Sequence, residues 1–496
     1  MSDELAFASA TELARLVRTR AVSPVELTEL YLDRIARLDG RINAFVTVDA
    51  AGARAGAKAA EERVTDGTAL PPFLGVPIAV KDLHLTEGLP TTFGCRSLAH
   101  FVPTFDEECV ARIKRAGFVV LGKTNVPEFG TVPYTESLLH GPCRNPWDVS
   151  RTAGGSSGGA AASVAAGLTP LAHGSDGGGS IRIPASNCGL FGLKPARGRI
   201  SAAPLFGDRL AGLSTAGPIT RHTADAAGLL DVMEGYATGD PSWAPPPARP
   251  FAREVEVEPG PLRLGVVTEW PFGTFEREPL AALEGATRLL DSLGHHLEPV
   301  TLPLSEGFRD DFEVVWAAGL AALPVDPARL EPFNRLLFDL GTTCSAARLL
   351  QAVNGLQVTA RAVIGATAHL DGVLSPTLAA EPLSIGAFAE RPVDELFDAN
   401  AAYVGLAPLA NVTGEPSMNL PLHRSPAGLP VGVMVTGRPA DEVTLLRLAA
   451  QVERAVDWTA DRPAVRQSAD TSYEPSVRTV RVTESTAEHP NVEENT

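Results

Sequence analysis

The sequence predicts an α/β protein, because signals for helices alternate with apolar runs that have the length of buried strands. Two helix starts come first: Ser9-Ala-Thr-Glu12 and Ser23-Pro24-Val-Glu26 each place a glutamate three residues after a serine, the capping-box pattern. The apolar run from Val76 to Val80 then indicates a buried strand. Hydrophobic residues make up 44% of the 496 residues, enough for one large globular body, although this length could also hold about three average domains.

Caps and glycines predict the other elements of the first half of the chain. An alanine-rich helix is expected over 50–64. Thr104 caps a further helix that Gly117 ends, with acidic residues in its first turn and basic residues in its last turn, as the helix dipole favours. Phe118 to Leu121 are strand-like. A helix of small residues over 158–166 and a strand over 168–175 complete this half.

The second half carries weaker signals. We expect strands over 262–267, 297–302 and 428–434, and helices over 280–293 and 441–456, with a helical stretch in between that runs to His369. The phenylalanines and tryptophans of that stretch are interpreted as core, where such residues most often lie. Residues 469–496 are rich in Ser, Thr and Glu and lack apolar periodicity, which predicts a disordered tail after a domain over residues 1–468.

Charge and cysteine usage exclude several classes of partner. A net charge of −17 and a pI near 5.1 would repel nucleic acid. The cysteine count of 5 is odd and shows no C-x-x-C spacing, which argues against a disulfide framework and a zinc site and indicates reduced thiols in the cytoplasm. No secretion signal and no run near the ~20 apolar residues of a membrane span are visible.

Two glycine clusters, each with a candidate serine, carry the chemical signal. The first is Gly154-Gly-Ser156-Ser-Gly158, and the second is Asp176-Gly-Gly-Gly-Ser180. Glycine is used where the backbone enters φ > 0 or approaches a ligand closely, so each cluster indicates backbone shaped around a ligand. The N–H groups of Gly177, Gly178, Gly179 and Ser180 could converge on a developing oxyanion. This pattern predicts a site for acyl transfer.

A serine nucleophile needs a base, and Lys81 is a better candidate than a histidine. His173 lies only seven residues before Ser180, on the predicted strand that leads into the glycine turn, and the other histidines show no pattern. Lys81 ends the apolar run that begins after Gly75, so its amine is carried into the interior. Burial lowers the pKa of a lysine, and only a neutral lysine can accept a proton. A lysine that reaches from a strand end to solvent is the alternative interpretation.

Lys81, Ser156 and Ser180 in these motifs resemble the Ser-cisSer-Lys triad of the amidase signature family, and their spacing matches as well. The resemblance extends to about Pro463 and is densest between Gly75 and Ser201. It implies one α/β/α domain in which helices cover both faces of a central twisted mixed sheet. It also implies a small-molecule amide substrate, no metal or organic cofactor, no nucleic-acid or membrane partner, and a homodimer as an open alternative to the monomer.

The resemblance also implies residue roles. Ser180 is the nucleophile, Ser156 is the relay serine on a cis peptide after Gly155, and Lys81 is the base. Gly130 lines the site and supports the relay, and Asp176 and Arg182 pair across the second glycine cluster, unless both are solvated charges. Gly177 stands where family members commonly carry a bulkier residue, which predicts a wider or less fixed oxyanion loop.

Several alternatives compete with this interpretation. Gly117 to Thr124 match the P-loop pattern, but strand and helix stand in the wrong order around them. Gly154 to Gly158 fit a nucleophile elbow with His423 as its histidine, but a turn-rich loop rather than a strand precedes them. Within the family, the chain could be the triad-bearing subunit of a glutamine-dependent tRNA amidotransferase, or a silent member that acts as a binding protein. Aryl amides, esters and carbamates are open as further substrates.

Overall fold

Eleven strands pair into one mixed sheet within residues 4–66 and 69–465, the part of the chain that this computed structural model describes. In chain order the strands are β1 Phe45–Val48, β2 Pro77–Lys81, β3 Val119–Thr124, β4 Leu171–Asp176, β5 Phe191–Lys194, β6 Thr215–Thr220, β7 Arg263–Val266, β8 His296–Pro299, β9 Gly372–Pro376, β10 Ser417–Arg424 and β11 Pro430–Gly437. Their order across the sheet is β1-β3-β2-β4-β6-β5-β10-β11-β9-β7-β8.

The pairing of β2 with β4 positions the site. These two strands run parallel, with Val80 opposite His173, and β2 also runs parallel to β3. Parallel neighbours end at the same edge of a sheet, so Lys81 and Asp176, the last residues of β2 and β4, meet there. Because β1 pairs antiparallel with β3 in the same sheet, the predicted mixed sheet is confirmed.

Fourteen helices flank the sheet within the described residues. They are α1 Ala10–Arg18, α2 Pro24–Ile42, α3 Ala50–Thr65, α4 Glu108–Arg115, α5 Gly158–Ala165, α6 Arg182–Cys188, α7 Thr223–Met233, α8 Arg277–Ser292, α9 Phe308–Ala321, α10 Pro332–Thr343, α11 Ala346–Thr367, α12 Leu396–Val404, α13 Leu409–Thr413 and α14 Glu442–Val456. The predicted caps of the first two helices are confirmed: Ser9 accepts from Glu12 N, and Ser23 forms a full capping box with Glu26.

Two local predictions were wrong, and several strands, among them β1 and β6, were not predicted. The helix predicted from Thr104 begins at Glu108, because the backbone of Glu107 is extended while its carboxylate is buried against His84. The segment before the first glycine cluster is not only loop: Asp148–Thr152 is a short strand that pairs with Arg144–Asn145. The strand β6 was missed because Gly217 and Pro218 in its middle are typical of turns, yet it pairs on both sides.

The core divides into a large cluster around the sheet and smaller clusters beneath α9, α10 and α11. The smaller clusters include Phe308 and Phe333, which also line a cavity. No helix among the described residues is long and apolar enough to cross a bilayer. The single domain over 1–468 stays a prediction, and the predicted tail over 469–496 lies outside the described residues.

Candidate active site

Lys81 is fully buried at the end of β2, with 0% of its side chain exposed. Its Nζ donates to Ser156 Oγ at 2.9 Å and to the carbonyl oxygen of Ser175 at 3.1 Å. Burial lowers the pKa of Lys81 to about 7, although the nearby Asp176 carboxylate opposes that shift. The amine can therefore be neutral near pH 7, as a base requires.

Ser156 lies in the loop between the Asp148–Thr152 strand and α5. The peptide bond between Gly155 and Ser156 is cis, as the resemblance implied. Gly130 packs directly against this serine: a Cβ on Gly130 would lie 2.9 Å from Ser156 Oγ and 2.7 Å from Leu83 Cδ1, and its φ is +72°. Only glycine fits this position without strain, and its absent side chain leaves room for the Ser156 hydroxyl.

The second glycine cluster is shaped by the carboxylate of Asp176. Gly179 N donates to Asp176 Oδ1 at 2.7 Å, and Ile181 N donates to Asp176 Oδ2 at 3.1 Å. The Gly179 N–H, which was expected to contribute to an oxyanion hole, thus has the Asp176 carboxylate as its partner in this structure. The N–H groups of Gly177, Gly178 and Ser180 donate to no residue that the structure describes, so these three can serve a ligand.

Arg182 holds Asp176 from the other side. Its Nε donates to Asp176 Oδ2 at 3.0 Å and its Nη2 to Asp176 Oδ1 at 2.9 Å, and both side chains are fully buried. Asn411 adds a donor from Nδ2 to Asp176 Oδ1 at 2.9 Å. Burial would raise the pKa of Asp176, but Arg182 and the other donors hold it well below its usual range. The alternative of two solvated charges is wrong.

Ser180 lies at the meeting point of two cavities. The serine cavity contains Ser156 and Ser175 among its lining residues, and the aromatic cavity is lined by six rings from Trp270, Phe272, Phe308, Phe312, Phe333 and Phe397. Both cavities are also lined by Gly130, Thr131, Ser180 and Trp316. Within the stretch interpreted as core, Phe308 and Phe333 do belong to buried hydrophobic clusters, but they also line this cavity together with the partly buried Phe312 and Trp316.

Trp316 fills the space that Gly177 was expected to leave open. A Cβ on Gly177 would lie 3.3 Å from Cη2 of this indole. Trp316 belongs to α9, far from the glycine cluster in the sequence. Nothing in the neighbouring sequence distinguishes a residue that lines a cavity from a core residue. Proximity to the glycine cluster could be seen only in three dimensions.

The histidines considered as bases lie elsewhere. His173 is buried within β4, its Nε2 lies 3.8 Å from Cys109 Sγ, and burial lowers its pKa well below the usual value. His423 contacts Glu278 at 3.1 Å on the far part of the sheet. Neither lines the cavities that contain Ser180 among the described residues. The nucleophile-elbow interpretation therefore lacks the histidine that its triad requires.

The P-loop match is also excluded. Gly122 and Lys123 lie inside strand β3 rather than in a loop. The Lys123 Nζ donates to the carbonyl oxygen of His84 at 2.6 Å and to Thr91 Oγ1 at 2.8 Å, and it is fully buried. A phosphate could not reach this amine.

Arg209 is a site residue that the sequence did not indicate. It lines the serine cavity, and its guanidinium pairs with the buried Glu107 carboxylate. Glu107 also accepts from Leu85 N at 3.0 Å and lies 2.7 Å from His84 Nδ1. Because Arg209 is positive and close to Lys81, it helps to lower the pKa of that lysine. Its position in an irregular loop gave no pattern to detect.

Known proteins that resemble this chain identify its family. The model of the family described as Amidase matches residues 26–446. A putative amidase of Synechocystis sp. is 39% identical over 92% of this chain and 90% of its own length. A solved structure of 6-aminohexanoate cyclic dimer hydrolase complexed with substrate has a TM-score of 0.87 and 33% identity, covering 93% of this chain and 99% of that one. The chain belongs to the amidase family.

Membership confirms the predicted amidase signature family, its fold and its enzyme class, a hydrolase of amide bonds. A glutamyl-tRNA(Gln) amidotransferase subunit of Anaeromyxobacter dehalogenans is also similar, at 35% identity over 90% of this amidase and 97% of that relative. Proteins of the kind named in the amidotransferase alternative are therefore also among the relatives of this chain.

Proposed function

We propose that this amidase hydrolyses amide bonds through an acyl-enzyme on Ser180, with Ser156 as proton relay and Lys81 as base. The observation that carries the proposal is the buried Lys81 amine, 2.9 Å from Ser156 Oγ, beside a cavity that both serines line. In its neutral form the amine has one lone pair and keeps its N–H contact with the Ser175 carbonyl oxygen. The Ser156 hydroxyl then donates to Nζ, which aims the relay at the base.

In the first step Ser180 Oγ attacks the carbonyl carbon of the amide. The Ser180 proton passes to Ser156 Oγ, while Ser156 passes its own proton to Lys81 Nζ. The carbonyl oxygen becomes an oxyanion, and the free N–H groups of Gly177, Gly178 and Ser180 are the donors that stabilise it. Because Asp176 and Arg182 fix the loop, these donors need no reorganisation during the reaction.

The relay then runs in reverse. Protonated Lys81 returns its proton through Ser156 to the nitrogen of the substrate, the C–N bond breaks, and the amine leaves. The acyl group stays as an ester on Ser180 Oγ. Water enters, loses a proton by the same route to Lys81, and attacks this ester; the carboxylic acid departs and Ser180 regains its hydrogen.

We further propose small-molecule amides, linear or cyclic, as substrates, with aryl amides, esters and carbamates as additional candidates. The chemistry needs no metal or organic cofactor. All five cysteines are free thiols, which supports the reducing cytoplasm as the location. A homodimer, and the absence of nucleic-acid and membrane partners, remain parts of the proposal that light scattering and binding assays would test.

A fluorophosphonate probe tests the proposal directly. It should label Ser180 in the wild type, fail to label Ser180→Ala, and label Ser163→Ala normally, since the Ser163 hydroxyl only bonds the Ala160 carbonyl oxygen within α5. An adduct on Ser156 or Ser157 would contradict the assignment.

A substrate panel separates the alternatives. Amine release from anilides, aliphatic amides and lactams by the chain alone supports the amidase. A silent binding protein would release no amine from any of them. An amidotransferase component would instead release ammonia from glutamine, and only together with the other proteins of its complex.

A further inference from the structure

Trp316 stands between the serine cavity and the aromatic cavity. Its Nε1 donates to the carbonyl oxygen of Thr131 at 3.2 Å, and these two residues line both cavities. On its other side the ring of Phe312 stacks on the indole, with ring centroids 5.3 Å apart. The indole edge also abuts Gly177 and Gly178, whose Cβ positions would lie 3.3 and 3.7 Å from Cη2. The indole is thus held on three sides directly beside the nucleophile loop.

The position of the relay assigns the two halves of a substrate to the two cavities. The leaving nitrogen must receive its proton from Ser156, and of these two cavities only the serine cavity is lined by Ser156. The amine half therefore lies in the serine cavity. The acyl half, on the opposite side of the carbonyl carbon, lies in the aromatic cavity.

The lining of each cavity defines the chemistry that it accepts. The aromatic cavity has ring walls, and its charged lining residue, Arg309, already pairs with Glu313 at 3.1 Å and with Asp398. An uncharged aromatic acyl group would stack there. The serine cavity is lined by the rings of Phe93, Phe129 and Phe206 and by Leu320 and Leu323, and its Arg209 is already paired with Glu107. An uncharged aryl or alkyl amine substituent therefore fits this lining.

We propose that Trp316 is the specificity-determining partition of the substrate site, and that the preferred substrate is an amide with an uncharged aromatic acyl group and an apolar amine. This inference rests on the proposed acyl-enzyme mechanism. It adds which half of the substrate each cavity receives and which side chain keeps the halves apart.

The test uses two matched variants outside the relay and the core. Phe397 lines only the aromatic cavity of the two, and Leu323 lines only the serine cavity; both are partly exposed. Three substrates vary one half at a time: phenylacetanilide, acetanilide with a smaller acyl group, and phenylacetamide with a smaller amine.

Phe397→Ala should reduce the preference for phenylacetanilide over acetanilide by about tenfold or more, as loss of a well-packed ring predicts. It should leave the preference for phenylacetanilide over phenylacetamide within about twofold of wild type. Leu323→Ala should reduce the preference for phenylacetanilide over phenylacetamide and leave the preference for phenylacetanilide over acetanilide nearly unchanged. Hydrolysis of the phenylacetyl-enzyme, formed from an ester and followed in a single turnover, should change in Phe397→Ala only, because the amine half has already left.

Trp316→Ala joins the two cavities and should reduce both preferences, while Trp316→Phe, which keeps a ring, should retain most of both. The partition is overturned if each cavity variant changes both preferences alike, or if Trp316→Ala leaves both at wild-type values. Absence of any amine release or acyl-enzyme in the wild type would instead contradict the proposed function itself, so the two failures are distinct.

Discussion

Lys81 Nζ and Ser156 Oγ lie 2.9 Å apart in a fully buried pocket where the lysine forms no ion pair with any residue that the structure describes. Lys123, buried nearby, lies 3.5 Å from the Asp82 carboxylate and so has a counter-charge. An ammonium without a directly paired carboxylate is disfavoured in a low-dielectric interior, so burial favours the neutral form of Lys81 even though Asp176 is nearby. The relation between these two atoms is the origin of the first two predictions.

The first prediction is that kcat/KM rises with pH along a limb centred near pH 7 and is flat above it. A base works in its unprotonated form, and burial lowers the pKa of Lys81 to about 7, so the active fraction grows as pH rises through that value. The limb should disappear in Lys81→Ala, and EDTA should have no effect. An enzyme that loses activity in EDTA and regains it with zinc would contradict this mechanism.

Arg209 supplies the control for that limb. Its positive charge lowers the pKa of Lys81, so Arg209→Met should move the limb to higher pH, whereas Arg209→Lys, which keeps a charge, should move it less. A loss of fold alone would reduce the amount of active enzyme without shifting the limb. Equal limbs in all three proteins would show that Arg209 does not act on the base.

The second prediction concerns the relay. Ser156→Ala should reduce kcat/KM by about 10²–10⁴-fold, the usual size of an acid–base contribution, and should still allow slow labelling of Ser180. Because the two groups act as one unit, the kcat/KM of Lys81→Ala/Ser156→Ala should be only slightly lower than that of Lys81→Ala alone. The measurement is the double-mutant cycle on kcat/KM, and multiplicative losses would mean that the two groups act independently.

The structure brings together Lys81, Ser156 and Ser180, the three residues that the sequence predicted as the site. Lys81 was found because an apolar run ends at a charged residue, and Ser156 and Ser180 because glycines surround them. These are local signals. The partner of the Gly179 N–H was not found, since the direction of a backbone hydrogen depends on how the turn folds around Asp176. Trp316 reaches the site only through the packing of α9, which short-range patterns do not encode.

The third prediction concerns the Asp176–Arg182 pair behind the oxyanion loop. Arg182→Met leaves the Asp176 carboxylate buried without its cation, which should reduce the free energy of unfolding by ~3–5 kcal/mol. Asp176→Asn/Arg182→Met removes both charges. Its loss of free energy of unfolding should be smaller than the sum of the losses in the two single variants. Urea unfolding measures these values.

An exposed pair provides the control for this comparison. Arg335 and Asp339 are 2.9 Å apart on α10, with about half of each side chain exposed. Solvent screens such a pair, so Arg335→Met should change the free energy of unfolding by less than ~1 kcal/mol. A similar loss in Arg335→Met and Arg182→Met would mean that burial of the inner pair does not matter for its strength.

The last prediction compares two helical glycines with opposite surroundings. A Cβ on Gly159, in the first turn of α5, would lie 2.3 Å from Asn125 N and 2.4 Å from the Ala44 carbonyl oxygen, both backbone atoms. No side-chain rotation can relieve that overlap, so Gly159→Ala should lower the free energy of unfolding by about 1–3 kcal/mol or more. Gly285, inside α8, has nothing within 4 Å of its Cβ position, so Gly285→Ala should stabilise by about 0.5–1 kcal/mol through helix propensity.

The same pair distinguishes a loss of stability from a displaced site. Because α5 begins directly after Ser156 and Ser157, a shift of its first turn moves the relay serine, and Gly159→Ala should reduce kcat/KM even at temperatures where it is folded. Gly285→Ala should leave kcat/KM within about twofold of wild type, since Gly285 lines neither cavity of the site and its Cβ position is open. Gly159→Ala could instead have the same free energy of unfolding and the same kcat/KM as the wild type. That result would contradict the close packing of α5 against the Asn125 backbone, and with it the fixed position of Ser156.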